Sequence, residues 1–379
     1  MVIVAIIFGM ALILLVLWEG FETIVLPRRV TRRFRLTRFF YHSIWRLWVK
    51  MVKTFFPPRR RENLLSYFGP LSLLLLLSVW AGGLILGFAL IHWALGSAIL
   101  DADGATGFFT DLYLSGTTFF TLGLGDVIPR NPLARVLVVV ESGMGFAFLA
   151  LVIGYLPALN QSFARREVSI VLLDARAGSP PTASEMLRRN GHERGEKMLR
   201  QLLHEWERWS AELLEGHLSY PVLAYFRSQH DNQSWLAALT AILDTCALLM
   251  AGCVGGSCER QAELTFAMAR HAIIDLTLVF KPSFHESRRD RLPPEKLAEL
   301  RHRLSGSGQN LRQGEEVDNK LAELRLLYEP YVHALAVYFQ VSLPPWVAEE
   351  SWVDNWQRSY RERTSAGGIL ADKGGSEHF

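Results

Sequence analysis

The sequence predicts a mainly α membrane protein: three transmembrane helices, a re-entrant helix and loop between the second and third, and a helical carboxyl-terminal domain in water. Three observations predict it. Three long apolar runs crowd the first 160 positions of a 379-residue chain that is 50% hydrophobic, with mean hydropathy +0.16. A shorter apolar stretch with a polar end, Phe108 to Asp126, lies between the second run and the third. From Gln161 onward the composition turns ordinary and apolar residues recur at helical spacing.

Val2 to Trp18 is almost uninterrupted Val, Ile, Leu, Ala and Phe, and reaches the roughly 20 residues a bilayer span needs once Gly20 and Phe21 are counted. A cleaved leader is the competing assignment. No basic segment precedes the run and no small-x-small cleavage site follows it, which favours a retained helix over residues 1–27. The charges follow the run instead: Pro27 to Arg61 holds twelve Arg or Lys and no Asp or Glu. By the positive-inside rule the amino terminus is expected outside and Arg28 onward in the cytoplasm. Within this basic segment, 28–63, Ile44, Trp48, Met51 and Phe55 share one helical face while Arg46, Lys50 and Lys53 occupy another. That is the pattern of a helix lying on anionic lipid, and with spans on both sides lipid is the expected partner and nucleic acid is not.

Leu64 to Leu95 contains the second run, Leu71 to Leu90, ending in His92 and Trp93 at the expected outer interface, and Val136 to Leu159 is the third. These spans leave residues 96 to 135 outside, with only Arg130 and Arg135 as isolated positive charges, and return the chain to the cytoplasm at Arg165 and Arg166. The expected location is the cell (inner) membrane, multi-pass, with the carboxyl-terminal domain cytoplasmic. Phe108 to Asp126 is too short to cross and too apolar for a free loop, so it reads as re-entrant, a form tolerated where protein or a water-filled cavity satisfies the backbone. Phe108 to Phe120 suits a short helix descending from outside, its carboxyl end directing partial negative charge at the membrane centre. Gly123 and Gly125 open backbone regions closed to other residues, so that successive carbonyls face one axis. Thr121 adds a hydroxyl as the innermost oxygen, Asp126 closes the run at the outer mouth, and Asp101, Asp103 and Asp111 are expected to concentrate cations there.

The stretch Ser115-Gly116-Thr117-Thr118-Phe119-Phe120-Thr121-Leu122-Gly123-Leu124-Gly125-Asp126, followed by Pro129 and a glycine-bearing apolar helix, closely resembles the pore of two-transmembrane-type potassium channels. The resemblance covers residues 64–160, the expected pore domain. It implies that carbonyls of Thr121, Leu122, Gly123 and Leu124, with the Thr121 hydroxyl, replace the hydration shell of potassium. It also implies that four identical chains surround one axis, because each supplies one filter segment. The family usually has Val at position 122 and an aromatic residue at 124. Leu124 brings no ring or hydroxyl to brace the filter, which keeps a nonselective cation channel open as an alternative.

The third span carries Gly143, Gly145 and Gly154. Gly145 matches the family's hinge glycine by its distance beyond the filter; close helix packing is the equally weighted alternative. Pro157 is a second bend candidate. Glu141, the acidic residue inside that span, is expected to point behind the filter and bond the pore helix or filter backbone.

Residues 161–379 read as a cytoplasmic helical regulatory domain. Val168 to Leu173 is a candidate strand, Gly178-Ser179-Pro180-Pro181 a break, and Thr182 with Glu185 a helix start. Leu199, Leu202, Leu203 and Trp206 share a face, and Leu236 to Met250 and Leu264 to Phe280 suit buried helices of a bundle. Leu236 to Val254 is apolar enough for a fourth span, but Asp244 at its centre favours a core helix. Residues 302 to 318 read as an exposed loop and the last dozen as disordered. Cys246, Cys253 and Cys258 lack partners at metal-site spacing, no GxGxxG nucleotide module follows a strand, and His192, His204, His217, His230 and His271 are scattered. No catalytic constellation is visible, so an enzyme is not expected, no soluble cofactor is required, and potassium serves as permeant ion. No span carries regularly spaced arginines, so voltage sensing is not expected. An unidentified small molecule or protein is the expected regulator of the carboxyl-terminal domain, and a non-conducting membrane sensor or scaffold is the remaining alternative.

Overall fold

A computed structural model describes residues 2–26, 36–96, 99–100, 107–129, 131–190, 193–229, 232–252, 258–284, 290–306, 311–349 and 354–355. It is helical almost throughout, and the chain divides into two compact units: Met1–Ser162 with Ser219–Phe226, and Phe163–Leu218 with Arg227–Phe379.

In the first unit, α1 (Val2–Gly20), prolonged by a π-helical turn Phe21–Val25, packs along α4 (Phe68–Ala94). Small residues set that approach: a methyl at Gly9 would stand 2.6 Å from the Gly87 carbonyl oxygen, and one at Gly87 would stand 2.6 Å from Ile13 Cγ1. The opposite faces, including Ile3, Val4, Leu74 and Val79, are exposed apolar surface suited to hydrocarbon. α2 (Leu36–Phe55) begins at a side-chain cap given by α1. Glu19, buried at the end of α1, accepts hydrogen bonds from the Leu36 amide (3.0 Å), the Thr37 amide (3.1 Å) and the Thr37 hydroxyl (2.7 Å). The protein-facing row of α2 is Thr37, Tyr41, Trp45 and Val52, and Phe55, from the row expected on lipid, is exposed. Arg28 to Arg35, and with them the start of the basic segment, lie outside the described residues.

After α3 (Pro58–Ser66) comes α4, then β1 (Ile99–Leu100), α5 (Phe108–Phe119), β2 (Ile128–Pro129) and α6 (Pro132–Ala177). β1 and β2 pair antiparallel, Ile99 opposite Pro129 and Leu100 opposite Ile128, and so bracket α5 and the segment that follows it. The segment Ser219–Phe226, with its 3-10 turn Pro221–Tyr225, belongs to this unit although the chain on either side of the segment does not. Tyr225 stacks on Tyr41 at 5.6 Å and meets Trp45 and Phe68 at 5.4 and 5.2 Å, Tyr220 meets Tyr155 of α6 at 5.5 Å, and Phe226 fills the space beside Gly69.

The third span corrects the sequence reading. α6 has 46 residues, about 69 Å at 1.5 Å per residue, and runs unbroken through Gly145, Gly154 and Pro157. The expected strand Val168 to Leu173 lies inside it. Arg166, Ile170, Leu173 and Ala177 are buried while Val168, Val171 and Leu172 are exposed, so burial follows helical spacing and overrides the strand preference of Val and Ile.

In the second unit α7 (Ala183–Arg189) starts where expected: the Glu185 amide donates to the Thr182 hydroxyl at 3.2 Å. α8 (Glu193–Ser219) buries Leu199, Leu202, Leu203 and Trp206. α9 (Trp235–Ala251) is the core helix, its residues buried up to Leu249 and again at Ala251, and α10 (Glu259–Phe280) packs on it. Asp244 is tolerated there because Arg291 and Tyr328 bond its carboxylate, each at 2.5 Å. α11 (Pro294–Ser305), α12 (Glu315–Leu326) and α13 (Glu329–Phe339) complete the unit. The loop expected over 302 to 318 is therefore mostly helix at its two ends, and Leu311 within it is buried. The final dozen positions, Cys253, His192 and His230 lie outside the described residues.

Burial, and then the nearby Arg166 charge, push His217 down to about 3, so it stays neutral at physiological pH. Cys246 and Cys258 are buried small side chains.

Candidate functional site

The segment after α5 is rooted in that helix's last turn. The Phe120 amide donates to the Gly116 carbonyl, Thr121 to Thr118 (2.9 Å) and Leu122 to Thr117 (2.8 Å). Beyond this anchor the chain turns outward with alternating handedness: Thr121 at φ 56°, Gly123 at φ 58° and Gly125 at φ 79°, with Leu122 and Leu124 in ordinary conformations. Backbone that alternates in this way directs successive amides to one side and successive carbonyls to the other. Glycine makes the left-handed position free of strain at 123 and 125, and Thr121 is held in it by the α5 anchor. All six residues from Thr121 to Asp126 are exposed in the single protomer, with Leu122 and Leu124 at 60% and 64%.

The outer end is fixed by one side chain. Tyr113 of α5 donates its hydroxyl to Asp126 Oδ2 at 2.7 Å, and the Val127 amide donates to Asp126 Oδ1 at 3.1 Å. Asp111 does not join Asp126 at the mouth as expected. It sits buried in the first turn of α5, where an acid suits the helix amino terminus. Asp101, Asp103 and Arg130 fall outside the described residues.

Behind the segment, α5 and α6 meet at points four residues apart on each helix. Glu141 is fully buried beside Ser115, Gly145 lies against Phe119, and Phe148 meets the Phe119 ring at 5.7 Å. At Gly145 the approach is extreme: a methyl there would stand 1.9 Å from the Phe119 carbonyl oxygen, whereas nothing within the protomer lies within 4 Å of one at Gly143 or Gly154. Glu141 thus neighbours the pore helix, as expected, and also His92 of α4, whose Nε2 is 3.4 Å from its Oε2.

Sequence reading overlooked Tyr113 and Phe148, and it gave His92 to the outer interface, whereas His92 is fully buried. His92 carried a readable signal: with Leu84 and Phe88 it falls at four-residue steps along one face of α4, and all three are buried. Tyr113 carried none, because which side of α5 faces Asp126 depends on how the chain returns.

Comparison with known proteins agrees with this geometry. Residues 76–161 match a family described as "Ion channel". A membrane protein of Bacillus subtilis (strain 168), named uncharacterized membrane protein YdjJ, is 26% identical over 190 residues. That alignment covers 48% of this chain and 53% of the Bacillus protein, so the chain spans about half the length of the relative it matches. No solved structure matches the chain significantly.

Proposed function

From the premise that residues 76–161 form an ion channel domain of the two-transmembrane potassium-channel type, we propose that the protein conducts potassium passively and selectively through a homotetrameric pore. The observation that carries this is the alternating backbone at Thr121, Gly123 and Gly125, pinned below by α5 and above by the Tyr113–Asp126 bond. Carbonyls of Thr121, Leu122, Gly123 and Leu124, with the Thr121 hydroxyl, take the place of water around the ion. Four such segments close one ring of ligands, and their neighbours cover the exposed Leu122 and Leu124. Ions run down their gradient, so the activity needs no catalytic step and no cofactor.

The inner helix α6 gates this pore, with Glu141 and Gly145 as the residues that tie it to α5. The Phe163–Leu218 and Arg227–Phe379 unit regulates it in response to an unidentified small molecule or protein. Orientation follows the charge distribution: amino terminus outside, α2 on anionic lipid, second unit cytoplasmic, in the cell membrane.

The test is cation flux into liposomes holding the purified protein, potassium against sodium, for wild type and Gly123→Ala. Wild type passes potassium in preference, and the variant, whose Ala is strained at φ 58°, loses that preference or all flux. Equal sodium and potassium flux in wild type would replace the selective reading by a nonselective pore, the outcome that Leu124 favours. A protein closed to both ions across calcium, pH and nucleotide conditions would favour a membrane sensor.

A further inference from the structure

One group of side chains in the first unit serves neither the filter segment nor the apolar packing. His92 near the end of α4, Ser115 in α5 and Glu141 in α6 come one from each of the three helices that surround the candidate filter, and each is fully buried. Nε2 of His92 is 3.4 Å from Oε2 of Glu141, and the Ser115 hydroxyl adjoins the same carboxyl group. Neither nitrogen of His92, neither oxygen of Glu141, nor Ser115 Oγ completes a well-formed hydrogen bond within the protomer. Burying an ionisable pair with so little hydrogen bonding costs stability, and an apolar trio of like volume would pack there at least as well. The fold carries the cluster at that cost, which points to a role other than holding the fold together.

Its position gives the role. Ser115 is one turn before Phe119, whose carbonyl rests on Gly145, and the amides of Thr121 and Leu122 hang from Thr118 and Thr117 in that same turn. Any shift of the carboxyl end of α5 relative to α4 and α6 therefore moves the base of the filter. Among the described residues, the charged or titratable groups facing this contact are His92 from α4 and Glu141 from α6. On α5 the nearest acid is Asp111, one turn before Ser115, and Asp126 beyond is engaged by Tyr113.

We propose that His92 and Ser115 join Glu141 as specificity-determining positioning residues: a polar brace across the three helices that holds the filter base at the spacing potassium requires. It supplies from behind α5 the support that Leu124, without ring or hydroxyl, does not give from within the filter. This inference rests on the selective-conduction reading above.

The experiment measures the reversal potential, hence the potassium over sodium permeability ratio, of full-length His92→Leu, Glu141→Leu and the double variant in bilayers, alongside thermal unfolding and tetramer content. The brace predicts a ratio lowered about tenfold in each single variant, the double no worse than either one because the pair acts as a unit, and, for the double variant, which removes both polar partners together, an unfolding temperature equal to or above wild type. His92→Gln, which keeps a donor in place, retains more of the ratio than His92→Leu. Should a lone buried Glu141 prevent assembly of His92→Leu, the double variant still reports. Wild-type ratios in the Leu variants, losses that multiply in the double, or ratios that fall only in step with thermal stability would overturn the brace. Wild-type flux without potassium preference would remove the brace and leave conduction standing, whereas a wild type without flux would remove both.

Discussion

Replacing Gly145 with Ala is expected to abolish potassium-selective flux, while Gly143→Ala and Gly154→Ala keep it. The new methyl would lie 1.9 Å from the Phe119 carbonyl oxygen and 2.8 Å from its carbon. Neither atom belongs to a flexible side chain, so α5 or α6 must retreat by roughly 1 Å or more before ordinary contact is restored. The overpacking cost, roughly 1–3 kcal/mol, outweighs the roughly 1 kcal/mol that Ala gains over Gly in helix propensity. The retreat also drags Phe119, and with it the turn from which Thr121 and Leu122 hang. At Gly143 and Gly154 the methyl meets open space in the protomer and only the propensity gain remains. A pure hinge at Gly145 makes a different forecast: Ala would stiffen the gate and slow opening, yet leave the permeability ratio intact. Reversal potentials and unfolding temperatures for the three variants separate the two, and wild-type behaviour in Gly145→Ala sinks the packing account.

The second large effect falls in the other unit. Arg291→Ala is expected to destabilise the Phe163–Leu218 and Arg227–Phe379 unit by about 3–5 kcal/mol, because it leaves the carboxylate of Asp244 buried without its counter-charge. Arg291 also donates to Glu329 at 3.2 Å and to the Pro344 carbonyl at 2.8 Å, and its guanidinium lies over the Trp346 ring at 5.6 Å. Glu329 keeps Arg325 at 3.0 Å after the loss, and Asp244 keeps only the Tyr328 hydroxyl among these partners. Asp244→Leu combined with Arg291→Leu should cost less than Arg291→Ala alone, since it removes both charges together. Denaturant midpoints for the full-length protein measure the difference. A midpoint for Arg291→Ala equal to wild type would show that water or rearrangement satisfies Asp244.

How much of this was legible from sequence depended on range. The three spans, the re-entrant helix and the alternating glycines are set by local composition, and they lie where Val2 to Trp18, Leu71 to Leu90 and Phe108 to Asp126 pointed. Val168 to Leu173 misled because Val and Ile favour strands locally, whereas the burial of Ile170 and Leu173 is decided by helices far away in sequence. α6 likewise outran Leu159, since hydropathy marks where lipid ends and says nothing of where a helix ends. Glu141 could be suspected as a charge in an apolar run, but its partners could not, because His92 and Ser115 are separated from it by 49 and 26 positions. Asp111 looked like surface charge and proved buried, a matter of helix orientation that no spacing rule encodes.

The eight residues Ser219–Phe226 belong to the first unit, although the chain on either side of them belongs to the second. The peptide backbone therefore passes between the units three times, at 162/163, 218/219 and 226/227. A gene cut after Ser162 would keep every predicted span and the whole filter, yet it would delete Tyr220, Tyr225 and Phe226. Trp45, Phe68 and Tyr155 would each lose a ring partner, and the groove at Gly69 would stand open. The membrane module is thus not a separable cassette: its hydrophobic interior is finished by a piece of sequence encoded downstream of the segment it completes.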